Sequence, residues 1–72
     1  MNHADMEPRG GLTEVIDTLV EAERSLVSAQ TVMRDTSLAD RPGYQGIDEH
    51  IGVALASARS ALAEAHHKLH GL

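Results

Sequence analysis

The C-terminal stretch Ile47–Leu72, IDEHIGVALASARSALAEAHHKLHGL, decides the fold of this chain. Its apolar residues recur in alternating steps of four and three, which is the seam pattern of a helix packed against a partner helix. The seam consists of Ile51, Leu55, Ala58, Leu62, Ala65, Leu69 and Leu72. Asp48 and Glu49 in the first turn and Lys68 in the last turn suit the helix dipole. The stretch therefore predicts one long helix, from about Ile47 to His70.

A second helix is predicted upstream, from about Leu12 to Arg34. The same spacing gives it a seam of Leu12, Val15, Leu19, Ala22, Leu26, Ala29 and Met33, with a neighbouring row of Ile16, Val20 and Val27. Together the two rows span about half of the helix circumference, which is more than one partner helix covers. Glu23 and Gln30 fall inside this apolar arc. They lie either on a rim that reaches water or against a partner subunit or pocket.

The connection between the two helices covers residues 35–46 and contains the turn sequence Arg41-Pro42-Gly43. Proline presets φ and glycine tolerates a positive φ, so these residues favour a tight reversal. A connection of about ten residues makes consecutive helices antiparallel neighbours. The predicted fold is therefore all-α, an antiparallel two-helix hairpin over residues 11–72 that follows a flexible arm over residues 1–10.

The length of the chain points to self-association. Its 72 residues form one domain, and a core of that size rarely supplies more than about 3–5 kcal/mol. The chain contains no cysteine, so neither a disulfide nor a thiolate metal site can add stability. Two helices alone also leave the wide apolar arc of the first helix uncovered. We therefore expect a homo-oligomer, either a dimeric four-helix bundle or a higher ring.

Charge and composition exclude several functional classes. The formal net charge of −5 argues against general DNA or RNA binding, which needs clustered cations facing phosphates. No apolar run approaches the ~20 residues of a membrane span, and the N-terminus MNHADMEPRGG lacks the features of a secretory signal. The sequence has no nucleophile elbow, phosphate-binding glycine loop or HExxH motif. We expect a cytoplasmic protein that is not an enzyme and uses no cofactor.

Candidate binding residues lie near the end of the second helix. His66 and His70 are four residues apart, a spacing that zinc-binding helices use. Arg59 lies seven residues before His66 on the same edge, which borders the predicted seam. A column of cations repels a metal ion and suits an anion. Three interpretations remain open for this edge: a solvated face, an anion-binding edge, and a metal site.

Two further positions are candidates for ligand contacts. Tyr44 is the single aromatic residue, and it either packs at the end of the hairpin or stacks on a planar ligand. At an offset of 35 residues, Arg24 and Ser25 align with Arg59 and Ser60, which is a hint of internal duplication.

The stretch from Leu55 to Leu69, LASARSALAEAHHKL, resembles the second helix of the hairpin domain in phage anti-CBASS and anti-Thoeris nucleotide sponges. The matching positions are Leu55, Ala58, Arg59, Ser60, Leu62, Ala65 and Leu69. The resemblance implies a symmetric oligomer that binds cyclic nucleotide immune signals between subunits and sequesters them without cleavage. In such a protein Arg59 would pair with a phosphate, Ser60 or His66 would donate hydrogen bonds, and Tyr44 would stack on a base.

The sequence thus supports a non-enzymatic oligomeric binder of a small anionic ligand, with Arg59, Ser60, His66, His70, Tyr44 and Arg24 as candidate ligand-binding residues and no assigned metal ligand. Two alternatives remain. One is a structural or adaptor bundle that binds a protein partner through the surplus apolar row of the first helix. The other is a histidine-based metal binder.

Overall fold

The computed structural model describes residues 8–71, which form two long helices and one short 3-10 turn, with no strand in that range. Helix α1 covers Pro8–Asp35, the 3-10 turn covers Leu38–Asp40, and helix α2 covers Gln45–His70. Leu12, near the start of α1, lines one groove with Ala65 and Lys68, near the end of α2. The two helices are therefore antiparallel, and the prediction of an all-α hairpin is confirmed.

Helix α1 begins at Pro8, four residues before the predicted start at Leu12. Proline suits a first helical turn because that turn needs no intrahelical N–H donor and because the ring fixes φ near the helical value. Residues 8–10, predicted as part of the arm, are helical, and residues 1–7 of that predicted arm lie outside the described range. Helix α2 begins at Gln45, two residues before its predicted start, and ends at His70 as predicted.

The connection reverses the chain with two residues of positive φ. The N–H groups of Thr36 and Ser37 donate to the carbonyls of Val32 and Arg34, at 3.0 and 3.1 Å, and so terminate α1. Ser37 then adopts the left-handed conformation, with φ 60° and ψ 18°. Gly43 has φ 89°, as the turn sequence Arg41-Pro42-Gly43 predicts.

Replacing Ser37 with glycine is expected to stabilise the hairpin. A side chain in the left-handed region carries a steric penalty of roughly 1–2 kcal/mol, part of which glycine loses again through its freer unfolded state. We expect a net gain of about 0.5–1 kcal/mol in the free energy of unfolding, measured by urea denaturation at matched protein concentration. Ser37→Ala keeps the Cβ atom and should bring no gain. A glycine variant less stable than the parent would contradict the prediction.

The predicted seam of α2 is the face that packs on α1. Leu55, Ala58 and Ala65 are buried. The other seam residues within the described range, Ile51, Leu62 and Leu69, are half-buried, and Leu72 lies outside that range. Ala58 and Ala65 alternate with leucines in this seam, and their small side chains permit a close approach of the two helices.

The predicted seam of α1 was right at Leu12, Leu19, Leu26 and Met33 and wrong at Val15. Ile16 is buried, whereas Val15, which was placed in the seam, is 48% exposed. The row that faces α2 consists of Leu12, Ile16, Leu19, Glu23, Leu26, Gln30 and Met33, all of them buried or half-buried. The apolar arc of α1 is wider than the face of α2. The row of Val15 and the row of Ile16 could therefore each have packed against α2. Glu23, in this row, pairs with Arg59 of α2.

The core between the two helices is thin. Among residues 8–71 five side chains are buried, and two of them are alanines, Ala58 and Ala65. None of the described side chains is fully shielded from solvent. Large apolar side chains remain on the outside, listed here with exposed fractions: Val15 48%, Val27 40%, Val32 55%, Ile47 50% and Val53 65%.

Candidate functional site

An ion pair joins the two helices near the middle of the hairpin. Nε of Arg59 donates to Oε2 of Glu23 at 2.8 Å. The side chain of Arg59 is 58% exposed and that of Glu23 is 30% exposed. The half-buried carboxylate therefore meets its partner at the rim of the interhelical seam, where the guanidinium group reaches it from the surface.

This contact changes the electrostatics of the predicted cation column. The carboxylate of Glu23 offsets the charge of Arg59 at its Nε edge, so the column is less positive than the sequence of α2 alone indicates. Glu23 was identified as a polar residue inside the apolar arc, but its partner was not. The signal that could have found it is the antiparallel pairing of the helices: with Leu12 beside Ala65 and Lys68, Glu23 lies near residues 54–57 of α2, within reach of a side chain as long as that of Arg59.

His66 and His70 are neighbours on the surface of the last turns of α2. Their ring centroids are 6.4 Å apart, and the ring planes are inclined by 23°. Both side chains are exposed. The i, i+4 spacing explains the stacking, because residues four apart lie one above the other on a helix. His67 is rotated by about 100° from His66 and lies on a different face.

The structure does not bring the six candidate ligand-binding residues together within one chain. Arg59, His66 and His70 share one edge of α2, hereafter the histidine edge. Ser60 is exposed and about 100° around the helix from Arg59. Tyr44, which is 40% exposed, precedes α2 and is about 22 Å along the helix axis from Arg59. Arg24 is exposed on α1.

The opposite side of the hairpin carries a second feature, an apolar groove between the helices. It has a volume of about 610 Å³ and is lined by Gly11, Glu14, Val15, Thr18, Leu19 and Ala61. A smaller groove of about 230 Å³ adjoins it and is lined by Leu12, Ala61, Glu64, Ala65 and Lys68. Ala61 belongs to both, and it lies about 200° around α2 from Arg59, so the grooves and the histidine edge are on opposite sides.

Two rows of mostly small residues flank these grooves at heptad spacing. Val15, Ala22 and Ala29 form the row on α1, and Ile47, Ala54 and Ala61 form the row on α2. These six residues are hereafter the alanine-rich flank. Its two largest members, Val15 and Ile47, are about half exposed at 48% and 50%. The rotation of α1 produces this flank, because it turns the row of Val15 out of the interhelical seam.

Two further properties of residues 8–71 bear on function. In that range no group of three or more histidine, aspartate or glutamate side chains is placed to hold a metal ion. No helix in the described part of the chain is both long and apolar enough to cross a membrane.

Comparison with known proteins gave no match to a family model, to a curated protein or to a solved structure.

Proposed function

We propose that this chain is a non-enzymatic helical module that functions as a homo-oligomer, in which the alanine-rich flank of one hairpin packs against another copy. The observation that supports this most directly is the thin core. Five buried side chains among residues 8–71 leave two helices of 28 and 26 residues with little interhelical burial to offset the conformational entropy of folding.

The alanine-rich flank has the shape and chemistry that close helix packing needs. Its rows repeat every seven residues, which keeps them on one side of each helix, as in the seams of helical bundles. Alanine side chains permit a short interaxial distance, and Val15 and Ile47 add apolar area that is half exposed in the single chain. A second copy supplies the same flank, so a two-fold interface would be self-complementary.

The native mass of the full chain tests this proposal. Light scattering coupled to size exclusion, over a hundredfold range of protein concentration, should give a multiple of the 7.7 kDa chain mass. Helical content followed by circular dichroism should fall on dilution, together with the mass, because association stabilises the fold by mass action. A 7.7 kDa species that remains fully helical at the lowest concentration would overturn the proposal.

A narrower candidate function is that the assembly binds a small anionic ligand, specifically a cyclic nucleotide, at the histidine edge. Two observations favour it. The side chain of Arg59 is 58% exposed, and its contact with Glu23 uses Nε, which leaves the two terminal guanidinium nitrogens as donors for a ligand. His66 and His70 extend the same edge with exposed nitrogen donors. Because Ser60, Tyr44 and Arg24 lie elsewhere on the hairpin, they would join such a ligand only from another subunit.

Thermal shift with a panel of cyclic dinucleotides tests this ligand. Stabilisation by a nucleotide should disappear in Arg59→Ala, because the phosphate loses its guanidinium partner. It should increase in Glu23→Gln, because that variant removes the carboxylate competing for Arg59 while keeping the shape of the side chain. Absence of any shift in both the parent chain and Glu23→Gln would refute the nucleotide assignment without affecting the proposed self-association.

A further inference from the structure

We propose that His66 and His70 form a two-histidine chelate for a borderline divalent transition-metal ion such as Ni²⁺, Cu²⁺ or Zn²⁺. The chelate uses the last two turns of α2 and requires no residue of the alanine-rich flank. It therefore stands independently of the proposed self-association, and it competes with the anion-binding candidate for the same two imidazole groups.

The geometry of the two rings supports chelation. Their centroids are 6.4 Å apart and their planes are inclined by only 23°, so the two rings lie side by side and nearly parallel on one face of the helix. Metal–nitrogen bonds of about 2.0–2.1 Å require the centroids to approach by roughly 1–2 Å. Both side chains are exposed, so rotation about their side-chain torsions can supply this movement without disturbing the interhelical seam.

The electrostatic surroundings favour a cation more than the sequence indicates. Arg59, one heptad before His66, would repel a metal ion, but Glu23 pairs with it at 2.8 Å and offsets its charge. The chelate also occupies the last turn of α2, where the helix dipole carries partial negative charge. Lys68 lies about 160° around the helix from His70 and is exposed, so it points away from the site.

The donor set determines which ions are bound. Two neutral imidazole nitrogens suit Ni²⁺, Cu²⁺ and Zn²⁺, whereas Mg²⁺ and Ca²⁺ require oxygen ligands. Within residues 8–71 no third histidine or carboxylate is placed to complete the set. Water would fill the coordination positions that no residue in the range 8–71 supplies.

Titration calorimetry of the full chain with NiCl₂ tests the proposal, with MgCl₂ as the ion control. We expect saturable Ni²⁺ binding that weakens by at least about tenfold in His66→Ala and in His70→Ala, since either change removes the second arm of the chelate. His67→Ala is the matched control, because it removes an adjacent histidine on another face of the same turn and should leave the affinity unchanged. Binding should also weaken in acid, because protons compete with the metal for the ring nitrogens.

Two results would overturn the proposal. One is the absence of saturable Ni²⁺ binding by the parent chain. The other is a loss in His67→Ala equal to or greater than that in His66→Ala, which would assign the metal to a different histidine pair. Far-UV circular dichroism checks that each variant remains helical, and His66→Gln and His70→Gln replace any alanine variant that does not.

Discussion

Replacing Leu55 with alanine is expected to unfold much of the protein. Leu55 is 4% exposed, the lowest value among the described residues, and lies in the middle of the seam of α2. Truncating a buried leucine to alanine costs about 2–5 kcal/mol, because apolar contacts are lost and a cavity is left. A core as small as this one rarely supplies more than about 3–5 kcal/mol in total. The loss is therefore comparable to the whole stability of the fold.

Urea denaturation followed by circular dichroism at 222 nm measures this loss. Val53→Ala is the control on the same helix, because Val53 is 65% exposed and its truncation removes little buried area. We expect a change below about 0.5 kcal/mol for the control. Equal effects of the two substitutions would show that the seam of α2 is not the face that holds the hairpin together.

Replacing Ala61 with glutamate is expected to dissociate the proposed oligomer. Ala61 belongs to the alanine-rich flank and lines both grooves, so its Cβ lies on the surface that would be covered. A carboxylate buried there without a partner costs several kcal/mol, and Glu14 and Glu64 in the surrounding grooves add like-charge repulsion. That cost exceeds what a small helical interface can absorb.

Ala63→Glu is the matched control for this prediction. It makes the same chemical change two residues away, at an exposed position on the other side of α2. Light scattering should show a lower mass for Ala61→Glu and the parental mass for Ala63→Glu, with a lower melting temperature in the first variant alone. The reverse pattern would place the interface on the side of the histidine edge.

The contact face was predicted correctly for α2 and only in part for α1, and the difference has a physical reason. In α2 the apolar residues form one narrow stripe, so the spacing of Leu55, Ala58 and Leu62 identified the contact face correctly. In α1 two apolar rows lie side by side, and periodicity gives them equal weight. The choice between Val15 and Ile16 depends on how α2 is placed against α1, which buries Ile16 and leaves Val15 48% exposed. That is a tertiary contact, and it leaves no trace in the pattern of α1 alone.

The candidate site was less predictable than the fold. The shared edge of Arg59, His66 and His70 follows from helical periodicity, and the structure places these residues as expected. Helical periodicity does not predict that Glu23 offsets the charge of Arg59, because the two residues are 36 positions apart in sequence and lie on different helices. Tyr44 was a candidate for stacking on the same ligand, and about 22 Å along α2 separates it from Arg59 within one chain.

The ion pair between Glu23 and Arg59 also distinguishes the correct alignment of the two helices from misaligned ones. Leucine and alanine recur every seven residues in α2, so a shift of the helices by one heptad would preserve most apolar contacts. Such a shift would place either Gly52 or His66 opposite Glu23. Glycine has no side chain, and histidine carries a charge only when it is protonated, so neither replaces the guanidinium group. The ion pair between Glu23 and Arg59 adds little to the stability of the native fold. Because the shifted structures lack it, it still favours the native alignment of the two helices over them.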